Sequence, residues 1–273
     1  MARGRFETGF GTLHLVGRDE EALRAARELA VGAAREAGPV GGFVPFLGAR
    51  AYFKGGPLTG GARLRHALRA HVLRRALPRL NEYRNLRWLE RRLFQVPAPL
   101  AAGALWRRGA ARYQLLLTAE VRETRTLREF LASGDSGRGA VLSELARELA
   151  RMHALGFVHR DPYPRNLLVG ASGPGRRVFF LDAWHGGPAF QLRGPAYDLA
   201  CFLLHAPELL AGGEARAFLA RYLDERAVQG RPAGDAGRFT RAVERRRRAL
   251  VRRLRRDPAR LRGGELPPLD WTV

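Results

Sequence analysis

The chain has 273 residues, yet it contains one cysteine, one lysine and no isoleucine. A single thiol, Cys201, excludes an intramolecular disulfide, and its setting in the run LACFLL reads as a buried core position. No uncharged apolar stretch approaches the roughly 18 residues that a membrane-spanning helix requires. The opening MARGRFETGFG lacks the apolar core of a secretory leader, so the expected location is cytoplasmic, either free or peripheral at the inner membrane. Acidic residues are scarce: 26 against 48 basic ones, for a formal net charge of +22. Such a field should draw polyanions, whether nucleic acid, an anionic membrane face or a phosphorylated substrate. Nearly every base is arginine, however, and the missing isoleucine points to a genomic composition bias. Arginine runs therefore carry little weight as nucleic-acid signals, and no nucleic-acid-binding module accompanies them. An apolar fraction of 46% excludes wholesale disorder.

What is present has a clear order. Residues 19–37 read as a helix, with Asp19 as N-cap, acidic residues in the first turn and Leu23, Ala26, Leu29, Ala30 and Ala33 in one stripe. GPVGGFVPFLGARAYFKGG then reads as short strands joined by tight turns. Residues 62–93 are helical, with Pro78 in the first turn of a second helix from about residue 79. VPAPLAAGALWRRGAARYQLLLTAEV follows as a proline-marked link and two strands. TLREFLA opens a helix, a longer one covers 140–155, RRVFFLDAW is a strand, and helices fill the chain from 196 to about 262.

Chemistry-bearing residues sit at informative places in this order. HRDPYPRN puts Asp161 and Asn166 on a loop between a helix and the strand NLLV. Phosphoryl transfer needs a carboxylate to orient the attacking hydroxyl and an amide oxygen for a metal, and this loop supplies both. VFFLDAW delivers Asp182 at the end of an apolar strand, as a main Mg²⁺ ligand would be delivered, although Ala183 and Trp184 replace the usual D-F-G continuation. In ARAYFK, alternation puts Arg50, Tyr52 and Lys54 on one face of a strand and Ala51 and Phe53 on the other, so either Arg50 or Lys54 could contact nucleotide phosphates. Glu82 borders the buried stripe of NEYRNLRWLERRL and could hold such a cation; an ordinary solvated glutamate is the competing reading. Asp198, in AYDLACFLL, either anchors the catalytic loop or is a first-turn aspartate.

Cation, glutamate, HRD and Asn, strand aspartate and helix aspartate in this order resemble the protein-kinase-like superfamily from about residue 38 to 210. The fold implied is α+β and two-lobed: an N-terminal helical extension over 1–37, a β-rich N-lobe over 38–120 and a helical C-lobe over 121–273. ARAYFKGG, NEYRNLRWLERRLFQVPAP and HRDPYPRNLLV are more specifically similar to the lipopolysaccharide core kinases, the Kdo and heptose kinase family. In that loop Tyr163 stands where protein kinases have a lysine. The resemblance implies ATP- and Mg²⁺-dependent phosphorylation of a sugar hydroxyl on a glycolipid. It implies Asp161 as base, Asp182 and Asn166 on the metal, and Glu82 paired to the strand cation. The family's strand cation falls at Arg50, which leaves the role of Lys54 open.

Departures keep other readings in play. Gly38, Gly41 and Gly42 do not fit G-x-G-x-x-G, and Gly9-x-Gly11 reads as a turn. A pseudokinase scaffold binding nucleotide or anionic partners, and a kinase for a protein or small metabolite, are the alternatives. The basic helix over 238–262, with Val243, Leu250, Val251 and Leu254 near one face, either docks on anionic lipid or packs on the C-lobe. His153 reads as helix-core packing.

Overall fold

The computed structural model describes residues 1–36, 40–72, 75–170, 176–188 and 194–255. Its contacts divide the chain into two units, Met1–Val121 and Arg122–Val273.

In the first unit, β1 (Ala2–Thr8) and β2 (Gly11–Gly17) form an antiparallel hairpin where a helical extension was expected. The reason is a period of two: Leu13 and Leu15 are buried while His14 between them is exposed. α1 (Glu20–Glu36) follows, and Asp19 Oδ1 accepts the Ala22 N–H at 2.8 Å as its cap. β3 (Val40–Phe46), β4 (Ala49–Pro57), α2 (Gly60–His71), α3 (Pro78–Glu90), β5 (Pro99–Arg107) and β6 (Ala110–Ala119) complete the unit. The strands make one six-stranded sheet in the order β1-β2-β5-β6-β4-β3. The predicted N-terminal extension is thus part of the sheet.

The sheet is covered on both faces. Ala22, Leu23, Ala26 and Ala30 of α1 pack on Leu13, Leu15, Ala51, Phe53, Leu115 and Leu117. Residues of opposite parity face α3 and α2; Gln114 Oε1, for example, accepts the Arg79 N–H at 3.2 Å. Tyr83, Leu86 and Leu89 are the buried stripe of α3. Ala51 and Phe53 therefore belong to the α1 side, and Lys54, one residue on, belongs to the α3 side.

The second unit contains β7 (Thr124–Thr126), α4 (Leu127–Ala132), α5 (Arg138–Ala154), β8 (Phe157–Val158), β9 (Leu167–Gly170) and β10 (Val178–Phe180). It continues with β11 (Gly187–Pro188), α6 (Gly194–Phe202), α7 (Ala206–Leu209), α8 (Glu214–Val228) and α9 (Ala236–Arg255). β10-β9-β7 and β11-β8 form two small sheets around the loop that carries Asp161. α4 starts with a capping box, Thr126 Oγ1 accepting the Glu129 N–H and Glu129 Oε2 accepting the Thr126 N–H. α9 turns its apolar face inward: Val243, Leu250 and Val251 are buried, and α9 packs against α6. The fully buried Arg247 donates through Nε to the Leu203 carbonyl at 3.0 Å. Packing therefore accounts for this helix's apolar stripe. The predicted C-terminal portion from 256 onward lies outside the described residues, as does Gly38. Among the described residues no helix is long and apolar enough to cross a membrane.

Candidate active site

In the first unit the strand cation that pairs with Glu82 is Lys54. Lys54 Nζ donates to Glu82 Oε1 at 3.1 Å. The second carboxylate oxygen of Glu82 accepts Arg79 Nη1 at 2.6 Å. Glu82 is 1% exposed, so its charge is buried and is compensated by two cations. Arg50, which the family resemblance favoured, instead pairs with Glu120 at 3.0 Å, remains largely exposed and lies over the Phe43 ring. Two strand repeats separate the two cations, and Lys54 is the one that comes level with Glu82. Gly41 and Gly42 of β3 sit in register opposite Lys54 and Phe53.

In the second unit the loop is built on Asp198. This residue lies inside α6 and is fully buried, which excludes the first-turn reading. Its Oδ2 accepts the His159 N–H and its Oδ1 the Arg160 N–H, both at 2.7 Å. His153 Nε2 lies 3.1 Å from Asp198 Oδ2, and His153 Nδ1 lies 2.8 Å from the Tyr222 hydroxyl. The core histidine is therefore part of a buried polar chain, Tyr222–His153–Asp198, that ends on the loop backbone. Arg160 takes a left-handed φ of 68°, a conformation held by these bonds.

The loop brings Asp161, Asn166 and Asp182 together. Asn166 Nδ2 donates to the Asp161 carbonyl at 2.9 Å, and the Asn166 carbonyl accepts the Leu181 N–H at 2.9 Å, placing Asp182 beside it. Asp182 also has a left-handed backbone, φ 56°, in which a residue with a side chain is strained. Gly186 closes the turn after it. A Cβ there would come within 2.6 Å of the Val158 carbonyl oxygen and 2.8 Å of that of His159, so only glycine lets this segment lie against the loop.

Burial governs the electrostatics. Asp161 is pushed up to about 6, first by desolvation and then by the neighbouring Asp182 charge, with Arg165 opposing. Arg165 Nη2 is 3.8 Å from Asp161 Oδ1, and its guanidinium lies 4.4 Å from the Tyr163 ring centroid. Tyr163 stands where protein kinases have a lysine, and Arg165, two residues on, places a guanidinium near Asp161. Burial also raises the Tyr163 and Cys201 groups, and the Cys201 thiol is directed at the Arg160 carbonyl, 4.0 Å away. Desolvation by burial lowers the His159 pKa below its ordinary value.

A cavity of about 500 Å³ opens beside Asp161, lined among others by Arg160, Arg165, Tyr197, His205 and Arg253. Among the described residues Asp161 is the only carboxylate in its wall. Hard-cation chemistry fits the oxygens at hand. Asp182 offers a carboxylate, and Asn166, with its Nδ2 already donating, offers its amide oxygen. Among the described residues no group of three or more His, Cys, Asp or Glu could hold a metal. This small oxygen donor set suits Mg²⁺, which keeps waters and takes its remaining ligands from phosphates, and does not suit a zinc or calcium cage.

Comparison with known proteins agrees with this geometry. No curated protein matches the chain. Among solved structures, "WaaP in complex with acyl carrier protein" aligns at 18% identity with a TM-score of 0.56, covering 86% of this chain and 98% of that one. That likeness shows the fold, a protein-kinase-like α+β fold. A Toxoplasma gondii specific rhoptry antigen kinase domain aligns at 14% identity with a TM-score of 0.41, covering 91% of this chain and 87% of that one. Residues 48–189, which hold Lys54, Glu82, Asp161, Asn166 and Asp182, match the lipopolysaccharide kinase (Kdo/WaaP) family. The chain belongs to that family of phosphotransferases.

Proposed function

We propose that the protein transfers the γ-phosphoryl group of ATP to a sugar hydroxyl of an acidic, lipopolysaccharide-core-like glycolipid. The observation that carries this reading is the position of Asp161. It is a half-buried carboxylate with a pKa of about 6, at the wall of a cavity whose other charged lining is arginine, with histidine, tyrosine, tryptophan and leucine beside it. The acceptor oxygen would attack the γ-phosphorus while the bond to the bridging β,γ oxygen breaks. ADP leaves, and the hydroxyl proton passes to an Asp161 oxygen. Bound Mg²⁺, held by Asp182 and Asn166, would neutralise phosphate charge. Lys54, oriented by Glu82, is suited to the nucleotide phosphates, and Arg165 to charge developing beside Asp161. The cavity's arginines suit a phosphate or carboxylate on the acceptor.

The test is transfer of label from γ-labelled ATP to a lipopolysaccharide truncated to its inner core. The reading expects labelled glycolipid, abolished by chelation and by Asp182→Asn. No transfer to this acceptor, together with no Mg²⁺-dependent thermal shift from ATP, would overturn it in favour of a scaffold role.

Two smaller predictions follow from individual contacts. Lys54→Met is expected to raise the KM for ATP about ten- to hundredfold, the worth of a charge-assisted hydrogen bond. Glu82 keeps Arg79 as a partner in this variant, so its melting temperature should change little. Arg165→Gln removes the cation that opposes the upward shift of Asp161. The acid limb of its kcat/KM profile should move to higher pH than in the wild type, as a pH titration of initial rates would show.

A further inference from the structure

α2 and α9 are both arginine-rich amphipathic helices, and they use their apolar faces differently. α9 buries Val243, Leu250 and Val251 within the second unit. α2 does not bury its own. Leu64, Leu68 and, at the helix's C-cap, Val72 are 73%, 55% and 67% exposed. Their spacing of four places them along one side of the helix. The other side is held to the sheet: Ala70 packs with Leu58, Leu77, Ala104 and Ala111, and the His71 ring meets Trp106 edge-on. The stripe is therefore displayed by a fixed helix.

Along the chain, the charge on either side of this stripe is of one sign. No aspartate or glutamate occurs anywhere from residue 37 to residue 81. Arg63 and Arg65 stand on either side of Leu64, and Arg65 is exposed. We propose that α2 is an interfacial helix that docks the protein on an anionic lipid surface. Leu64, Leu68 and Val72 enter the boundary between headgroups and acyl chains, and the flanking arginines reach the lipid phosphates. A second copy is a poor occupant, because an acid-free arginine face would meet its own like charges across a two-fold axis. Nucleic acid is poorer still, since the stripe is aliphatic and offers no ring on which a base could stack. The proposal concerns a face of the first unit and does not depend on the kinase reading.

The experiment is co-sedimentation of the full chain with phosphatidylcholine vesicles, with and without phosphatidylglycerol. The comparison is between wild type, a Leu64→Ser/Leu68→Ser/Val72→Ser variant and an Arg63→Gln/Arg65→Gln variant. Every substituted side chain is solvent-facing or half-buried, and circular dichroism verifies folding. Wild type should partition onto the phosphatidylglycerol vesicles and release with rising salt. The serine variant should bind about tenfold or more weakly at equal net charge, and the glutamine variant severalfold more weakly. Because a charge of +22 alone attracts anionic vesicles, the serine variant is decisive. Equal binding of wild type and serine variant would overturn the proposal, and so would no binding by wild type. A wild-type dimer that the serine substitutions dissociate, or capture of an acidic soluble protein in place of vesicles, would also overturn it. The readout needs neither ATP nor acceptor, so its failure and failure of the phosphotransfer assay are separate results.

Discussion

Asp161→Asn is expected to lower kcat for phosphotransfer by about 10²–10⁴-fold, the usual contribution of a positioned general base. The same substitution should raise stability. The Asp161 carboxyl has a pKa of about 6 in the folded protein against an ordinary value of 3.8, mainly because it is desolvated. The folded state thus holds this proton more tightly than the unfolded chain, and stability falls as pH rises through that window. Above it, the ionised carboxylate is a standing cost on the order of 3 kcal/mol, which an uncharged amide does not carry. In buffer without nucleotide or metal, the variant should therefore melt higher than wild type at about pH 7.5 and differ little near pH 4. The wild-type kcat/KM should also rise through about pH 6 as the base ionises, a limb the variant lacks. Wild-type turnover in the variant would remove Asp161 from the mechanism. Equal melting at both pH values would show that its burial imposes no charge penalty.

Much of this site could be read before the structure because its residues occupy places dictated by local rules. A strand ending in Asp182, a helix followed by HRD, and a period-two stretch carrying Lys54 each have a periodicity that fixes which face or end the functional group occupies. The choice between Arg50 and Lys54 could not be read in this way, since both lie on one face and only α3's position along the strand separates them. Arg79 and Arg165 were passed over for a related reason. In a chain whose bases are nearly all arginine, nothing local distinguishes a guanidinium 2.6 Å from Glu82 from a solvating one. His153 was correctly read as internal, but its partners Asp198 and Tyr222 lie 45 and 69 positions away, a separation no periodicity spans. The β1–β2 hairpin was overlooked because glycines interrupt its alternation. The apolar stripes of α2 and α9 look alike as patterns, and only packing shows that one is covered and the other displayed.

Asp198→Ala should destabilise the protein by about 3–5 kcal/mol, the range for removing one partner from a buried charged network. The carboxylate accepts two loop N–H groups and faces His153, and the His159 N–H and His153 cannot reach water in its absence because Asp198, His153 and His159 are all buried. Each buried donor left unmade costs about 1–3 kcal/mol, so the loop gains by leaving its position and letting water in. Arg160, whose left-handed backbone is held by one of these bonds, would relax first. Urea denaturation followed by tryptophan fluorescence measures the loss, with Trp184, two residues from Asp182, reporting on the second unit. Asp198→Asn is the discriminating control. It keeps one acceptor oxygen, so it should satisfy one of the two N–H groups and lose roughly half as much stability. If alanine and asparagine were equally mild, the two short bonds at 2.7 Å would not be holding the loop. If His153→Ala then matched wild type in both stability and turnover, the loop's geometry would have to come from the β8–β11 pairing alone.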